Sequence, residues 1–309
     1  MDSPWLRKFL NVRWLRPESA MWRTVSTRAM EDLFEELEQP SLDLGCGDGI
    51  TSFIRAGGDF DVSFDMFYGV AGLDEFFENK DIYNAAPEEY TPEISERPDY
   101  PITVGLDHKP ALLEKSRRLD FYEELIEHDN NTPLPFDDGE FRTIFSNTVH
   151  WVENVDLHLR EIHRVLDSDG VGILVLKTPH VHNFIHYLRG HEDVLGTELV
   201  DALDRGRSEH YPNLFDDDGW ASKLEEAGFT IRERRPLIST THAGMWDIGM
   251  RPISPLMISM ANALTVEQRQ RIKEEWIDSW ELLLSPVCEP MFELNRSDPP
   301  AETAFIVEK

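Results

Sequence analysis

Two rhythms of apolar residues alternate along most of this chain. Short continuous apolar runs suit buried strands, whereas apolar residues recurring every three or four positions suit helices packed by one face. Residues 41–44 predict a short buried strand and residues 50–55 the start of a helix. After an interruption the rhythm resumes, with strands predicted at 102–106, 123–128, 142–146 and 171–176 and helices at 110–119 and 157–166. Helical stretches follow Pro179; then residues 220–227 predict a helix stopped by Gly228, residues 230–235 a strand, and residues 303–307 a final strand. Strands and helices in alternation predict an α/β fold, a mostly parallel sheet covered on both faces.

Upstream of the first strand, Met21, Val25, Met30, Phe34 and Leu37 recur at roughly helical spacing. They predict one helix that starts at 17–19, runs to about residue 38 and is stopped by Pro40. Before it, Trp5, Leu6, Phe9, Leu10, Trp14 and Leu15 are interleaved with Arg7, Lys8, Arg13 and Arg16. That mixture suits either a helix lying on a membrane surface or one packed on its own domain. The organisation expected is a helical cap over residues 1–39 and one domain over residues 40–309, with insertions at about 57–101 and 240–295. The first insertion breaks the periodicity with aromatic, acidic, proline and glycine residues. Within the second, residues 256–284 read as helices laid over the sheet.

The segment Ser41-Leu42-Asp43-Leu44-Gly45-Cys46-Gly47-Asp48-Gly49 joins the first strand to a helix through three alternate glycines. Glycine lets the chain turn sharply and approach a ligand, while a helix N-terminus offers free N–H groups to an anion. A dinucleotide loop would need a further glycine where Ile50 stands, and no clear second strand ending in an acid lies about 20 residues on. Nicotinamide cofactors are therefore disfavoured.

Leu42-Asp43-Leu44-Gly45-Cys46-Gly47-Asp48-Gly49 closely resembles the first motif of class I methyltransferases that use S-adenosylmethionine (SAM). Gly105-Leu106-Asp107-His108 resembles the family's second strand, whose terminal acid accepts hydrogen bonds from both ribose hydroxyls; His108 would then border the adenine. His128-Asp129-Asn130 followed by Leu134-Pro135-Phe136 is similar to the adenine-recognition motif, with one extra residue before Leu134. Either Asp129 or Asn130 occupies the adenine position, Asp129 being preferred. Phe145-Ser146-Asn147-Thr148-Val149-His150-Trp151, then residues 159–166 and Asp169-Gly170, resemble the fourth strand, its helix and the turn into the fifth strand. The resemblance implies a Rossmann-like sheet with an antiparallel last strand. It also implies SAM as cofactor and a cofactor set of Asp43, Gly45, Cys46, Gly47, Gly49, Asp107, His108, Asp129, Asn130 and Asn147.

Methyl transfer from a sulfonium is an in-line displacement, so the protein must align an acceptor and exclude water. A hydroxyl acceptor also benefits from a base, and His150 and His180 sit where the fourth and fifth strands end, the end at which open α/β sheets bind ligands. Cys46 reads as a small packing residue, and Trp151 as either a cofactor wall or a filler between sheet and helix. His180, His182 and His186 lack the accompanying carboxylates or cysteines of a metal site.

Charge changes the picture of partners. Thirty lysines and arginines against 59 aspartates and glutamates give a net charge of −29, and only eight of the cations are lysine. A surplus of carboxylate repels phosphate backbones, which argues against nucleic acid. It also self-repels unless salt screens it, the Debye length falling to about 3 Å at 1 M, so a halophilic host is expected. Two unpaired cysteines suggest neither disulfides nor a cysteine zinc site. No apolar run approaches the roughly 20 residues of a membrane span, and the expected location is cytoplasmic.

Residues 17–22 before the first motif and a cap after Trp246-Asp247 resemble methyltransferases of bacterial glycan and lipid-glycan biosynthesis. O-methylation of a glycan or small-molecule hydroxyl is therefore the expected reaction. Methylation of a small carboxylic acid, or a non-catalytic SAM-binding scaffold, are the alternatives.

Overall fold

The computed structural model describes residues 4–35, 37–70, 90–182, 188–204, 211–248, 253–288 and 298–309. Seven strands form the main sheet: β1 (Ser41–Leu44), β4 (Ile102–Asp107), β5 (Tyr122–Glu127), β6 (Phe141–Ser146), β7 (Leu166–Lys177), β8 (Thr230–Ser239) and β9 (Pro300–Glu308). Two further strands, β2 (Asp59–Phe60) and β3 (Ile94–Glu96), make a separate antiparallel ribbon. The order across the large sheet is β5-β4-β1-β6-β7-β9-β8. β1 pairs in parallel with β4 on one side and β6 on the other, so the chain reverses its direction of travel across the sheet at β1. β9 slots between β7 and β8, antiparallel to both.

Both faces of this sheet are covered, and β7 shows why its sequence is apolar without a break. Ile173 and Val175 join one core, while Leu174 and Leu176 join the other. The second core is closed by α6 (Val155–Val165) and α9 (Asp217–Glu226). α6 lays Val155, Leu159, Ile162 and Val165 on the sheet, and the Asn154 side chain caps its first turn by accepting the Leu157 N–H at 3.2 Å. Asp216 caps α9 in the same way through Gly219 N–H at 2.8 Å. α4 (Ile50–Arg55) and the N-terminal helices close the opposite face. α5 (Pro110–Arg117) crosses between β4 and β5. Two short helices, α7 (Glu192–Leu195) and α8 (Thr197–Asp204), follow β7.

Two expectations are corrected and one choice is decided. The helix expected to run to about residue 38 divides into α2 (Pro17–Ala29) and a single turn, α3 (Glu31–Phe34). Met30, fully buried, ends α2 with its N–H on Thr27 O, and Phe34 then turns inward onto Phe145. β7 starts at Leu166, where the helix was expected to end, because a register shift between Phe141 and Thr143 carries the 167–170 turn inside the strand. Of the two readings of the N-terminal segment, the structure bears out packing on its own domain: in α1 (Pro4–Val12), Leu6, Phe9, Leu10 and Val12 are at most 1% exposed and pack within the chain. No described helix is long and apolar enough to cross a membrane.

The C-terminal helices are α10 (Thr240–Ile248), α11 (Ser254–Asn262) and α12 (Val266–Cys288). α12 packs on α1 and α2, and α10 packs on α2 and on the turn after β7. Parts of both expected insertions, residues 71–89, 249–252 and 289–297, lie outside the described residues.

Candidate functional site

The glycine loop stands where the chain reverses, at the carboxyl end of β1 between those of β4 and β6. There the three loop glycines all take positive φ: 86° at Gly45, 60° at Gly47 and 73° at Gly49. Each has a different reason. A Cβ on Gly45 would lie 2.4 Å from the Thr148 side chain, so the loop can approach the β6 tip only without one. A Cβ on Gly49 would meet the Tyr122 ring at 2.9 Å. Gly47 faces open space, with no atom within 4 Å of such a Cβ.

Buried carboxylates hold this loop. Asp43 accepts hydrogen bonds on one oxygen from Ser52 Oγ at 2.6 Å and Tyr122 OH at 2.7 Å. Burial raises its pKa, against the pull of those two hydroxyls. Asp43 therefore braces the loop from beneath. Asp107, at the end of β4, accepts Gly47 N–H at 3.0 Å and Lys109 N–H at 2.9 Å, one on each oxygen. A carboxylate has about four acceptor positions, so each oxygen retains one. Ser116 Oγ adds a bond to Gly47 O at 2.7 Å, and the Ser146 and Thr148 hydroxyls hold Leu44 O at 3.0 and 3.2 Å. Asn147 lies half-buried between those two hydroxyls. Burial, then the charges of Asp43, Asp107 and Asp48, push the Cys46 thiol well up, which suits a packing residue and not a nucleophile.

His108 is exposed, its Nδ1 3.6 Å from Asp107 Oδ1. His128 N–H on Asp107 O at 3.0 Å joins the next loop to β4. In that loop Asp129 is exposed and already engaged: its Oδ1 accepts Asn131 N–H at 3.0 Å and Asn131 Nδ2 at 2.9 Å, contacts that lower its pKa. Asn130 is half-buried, and its Oδ1 is buried without a hydrogen-bond partner among the described residues. Asn131 Oδ1 in turn accepts Glu153 N–H at 2.8 Å, tying the loop to the segment after β6.

The two candidate bases are placed differently. His150 lies in a 3-10 turn, Val149–Trp151, just beyond β6 and is 1% exposed. Neither of its ring nitrogens has a hydrogen-bond partner among the described residues. Burial, reinforced by the charge of Lys177, holds its pKa well below 6.5, so it is neutral at pH 7. His180 is half-buried in the turn Pro179–His182, with its N–H on Thr178 Oγ1 at 3.2 Å. His186 lies outside the described residues.

Several neighbours had no signal in the sequence motifs. Tyr211 packs on His150 at 5.2 Å, Trp151 at 4.6 Å and His182 at 5.3 Å between ring centroids. At the end of β7, Lys177 Nζ pairs with Glu302 Oε2 at 2.5 Å and stands 4.5 Å from the Trp22 ring centroid. Trp22 Nε1 donates to Glu302 Oε1 at 3.2 Å, and its ring meets Trp246 at 5.3 Å. The N-terminal helices and the C-terminal cap thus meet beside the carboxyl end of β7.

Residues 88–174 match the family described as "Methyltransferase domain". The match begins between the glycine loop and β4 and takes in the second, third and fourth motifs. No curated protein matches the chain. Among solved structures, a SAM-dependent methyltransferase from Mesorhizobium loti is 13% identical, with 92% of this chain and 98% of that one covered and a TM-score of 0.47. A geranyl diphosphate C-methyltransferase from Streptomyces coelicolor A3(2), solved with S-adenosyl-L-homocysteine, is 11% identical over 91% and 76%, with a TM-score of 0.42. A Haloferax volcanii putative methyltransferase complexed with the Trm112 activator is 15% identical over 72% and 74%, with a TM-score of 0.43.

Proposed function

We propose that this chain, which carries a class I methyltransferase domain and takes SAM as its cofactor, transfers the methyl group to a hydroxyl of a small molecule or glycan. The observation that carries this reading is the positive-φ glycine loop hydrogen-bonded through Gly47 to the buried Asp107 carboxylate. The residues present suit SAM: Asp107 keeps acceptor capacity for two ribose hydroxyls, and Asn130 Oδ1 is a buried acceptor awaiting a donor such as an adenine amine. Gly47 leaves the loop face open for the methionine end.

In this assignment Gly45, Cys46, Gly47 and Gly49 cradle the amino-acid portion, Asp43 holds their turn from below, and Asn147 borders them. His108 flanks the adenine. We assign the adenine role to Asn130 in preference to Asp129, a reading supported by the engagement of the Asp129 carboxylate with Asn131. SAM supplies an electrophilic methyl carbon. The chain's own tasks are to align the acceptor oxygen and to take up its proton. His150 suits the second task, because its neutral ring has nitrogens unclaimed by the described residues; His180 is the alternative. Tyr211, Trp151, Trp22 and Trp246 supply flat apolar faces with polar edges, which suit a sugar ring.

Calorimetric titration with SAM in molar salt, comparing the wild type with Asp107→Ala, tests the cofactor site. Two hydrogen bonds to a charged acceptor are worth about 1.5–3 kcal/mol each, so affinity should fall at least ~100-fold. A well-folded wild type that does not bind SAM sinks the reading. Methyl transfer to extracted glycan and metabolite pools then separates an enzyme from a SAM-binding scaffold.

A further inference from the structure

The turn Val149–Trp151 stands between the residues assigned to the cofactor and an aromatic wall made by Trp151 and Tyr211, whose ring centroids are 4.6 Å apart. Trp151 is 44% exposed, so its ring is open to a ligand. Within the turn, Trp151 N–H donates to Thr148 O at 2.8 Å and Val152 N–H to Val149 O at 3.2 Å. A 3-10 turn has poorer hydrogen-bond geometry than an α-helix, so the place of a single such turn depends on what its ends are tied to.

Both ends are tied to the loops assigned to the cofactor. At the start, the Thr148 hydroxyl donates to Leu44 O at 3.2 Å, and Ser146 Oγ donates to the same oxygen at 3.0 Å while accepting the Thr148 N–H at 3.3 Å. Each hydroxyl has one proton, so both protons go to Leu44 O. That oxygen belongs to the peptide joining β1 to the glycine loop, and the N–H of the same peptide, on Gly45, donates to Leu106 O of β4 at 2.7 Å. The Thr148 side chain also lies so close to Gly45 that a Cβ there would sit 2.4 Å from it. At the far end, Asn131 uses its amide in both directions: Nδ2 donates to Asp129 Oδ1 at 2.9 Å, and Oδ1 accepts Glu153 N–H at 2.8 Å. A third tie reaches the aromatic wall, where Asn213, two residues beyond Tyr211, donates from Nδ2 to Val152 O at 2.5 Å. Thr148 is half-buried and Asn131 exposed, so the Thr148 tie meets less competition from water.

We propose that Thr148 is a positioning residue for methyl transfer: its hydroxyl links the glycine loop to the turn that carries Trp151, so that a cofactor settling on the loop also sets the acceptor wall. This inference rests on the glycine loop being the SAM site. A contiguous chain of packed side chains and hydrogen bonds can carry such coupling between two sites. Here the chain is short, from Leu44 O to the Thr148 hydroxyl and from Thr148 O to Trp151 N–H. In-line transfer tolerates little misplacement, about 1 Å costing as much as ~100-fold in rate, so a fixed spacing between cofactor loop and acceptor wall has a direct use in the reaction.

Fluorine NMR of the full chain labelled with fluorotryptophan tests it, the Trp151 resonance being the one lost in Trp151→Phe. S-adenosyl-L-homocysteine is the probe, because it carries no methyl group to transfer. At saturation it should shift the Trp151 resonance of the wild type. Thr148→Val keeps the shape of the side chain and deletes the hydroxyl, so it should cut that shift at least ~2-fold, while affinity for the probe falls by no more than ~10-fold, the worth of about one neutral hydrogen bond. Thr148→Ser keeps the hydroxyl and should keep the shift. Thr24→Val deletes another buried hydroxyl, one that donates to Ala20 O at 2.8 Å, and should leave the Trp151 shift as in the wild type, which separates this link from a general loss of stability. The proposal is overturned if Trp151 of the wild type does not respond to bound probe, if Thr148→Val responds in full, the probe then acting on Trp151 directly, or if Thr148→Ser responds as weakly as Thr148→Val. A probe that calorimetry shows not to bind the wild type overturns the cofactor site and this inference with it, whereas the three results above overturn the inference alone.

Discussion

The two ends of α4 treat buried charge in opposite ways. At its start, Asp43 and Asp107 are almost wholly buried, and each accepts two hydrogen bonds. At its end, Arg55 is equally buried, with two aromatic rings within 5 Å of its guanidinium and two N–H-bearing nitrogens that have no acceptor among the described residues. Satisfied charge gives shape: the carboxylates fix a tight loop before any ligand arrives. Unsatisfied charge leaves a cost that the neighbouring ring faces offset only in part.

The largest expected effect breaks the shaped end. Gly45→Ala puts a side chain on a residue with φ of 86° and drives it within 2.4 Å of Thr148. Left-handed strain costs about 1–3 kcal/mol and overpacking a similar amount, so a loss of about 3 kcal/mol in urea unfolding is expected. Gly47→Ala is the control: it carries similar backbone strain but meets no atom within 4 Å. It should cost about 1 kcal/mol of stability while weakening SAM, because its methyl enters the open side of the loop. If the two variants were equally unstable, the close approach at Gly45 would not be what constrains the loop.

A buried base near the same end makes the second prediction. His158, on α6, is 1% exposed, and burial lowers its pKa to about 4, against a raising contact with the Asn130 backbone. The unfolded chain binds a proton near 6.5 and the folded chain near 4. Folding is therefore favoured fully above pH 6.5, and this contribution is lost as pH falls from 6.5 towards 4. At 1.36 kcal/mol per unit the loss is about 2–3 kcal/mol, read as a falling urea midpoint. His150, lowered for the same reason, adds in the same direction. His158→Gln should flatten the slope in that window, and an unchanged slope would remove His158 as its source.

Tyr122→Phe converts a satisfied carboxylate into a half-satisfied one. The Asp43 oxygen would lose the 2.7 Å bond from the Tyr122 hydroxyl and keep Ser52 alone. A hydrogen bond to a charged group is worth about 1.5–3 kcal/mol, so a loss near 2 kcal/mol is expected, with SAM affinity falling as the loop loosens. Stability and affinity both unchanged would mean that Asp43 does not brace the loop.

How much of this was legible in the sequence follows the same division. β1 matches its expected limits and α4 its expected start, because a central parallel strand is apolar on both faces and a glycine loop marks the helix start. The motif acids Asp43 and Asp107 stand where expected, at the ends of the first two parallel strands. Their partners were not legible: Ser52, Ser116, Tyr122 and Thr148 are ordinary hydroxyl residues that only tertiary folding brings to the loop. Arg55 read only as part of a helix start, with nothing to mark it as the helix's last residue. Its burial depends on Phe34, and Phe34 turns inward only because the helix expected there breaks at Met30, with no glycine or proline to announce it. Tyr211 likewise joins His150 and Trp151 from a segment that carries no motif.

The smallest expected effect tests what both ends share, the field of a chain with net charge −29. Added salt acts on two terms of opposite sign. It weakens exposed ion pairs such as Arg117–Glu114 and Arg234–Asp218, whose contribution solvent already screens. It also screens repulsion among carboxylates that outnumber the cations by 59 to 30. Since 29 carboxylates are left over even if every cation pairs with one, the second term should win, and stability read from the unfolding midpoint should rise between dilute and molar potassium chloride by an amount on the order of 1 kcal/mol. A midpoint that fell with salt would mean that the arginine pairs, and not the surplus acid, dominate the surface. The halophilic expectation would fall with it, whereas the glycine loop, held by buried and weakly screened carboxylates, would stand.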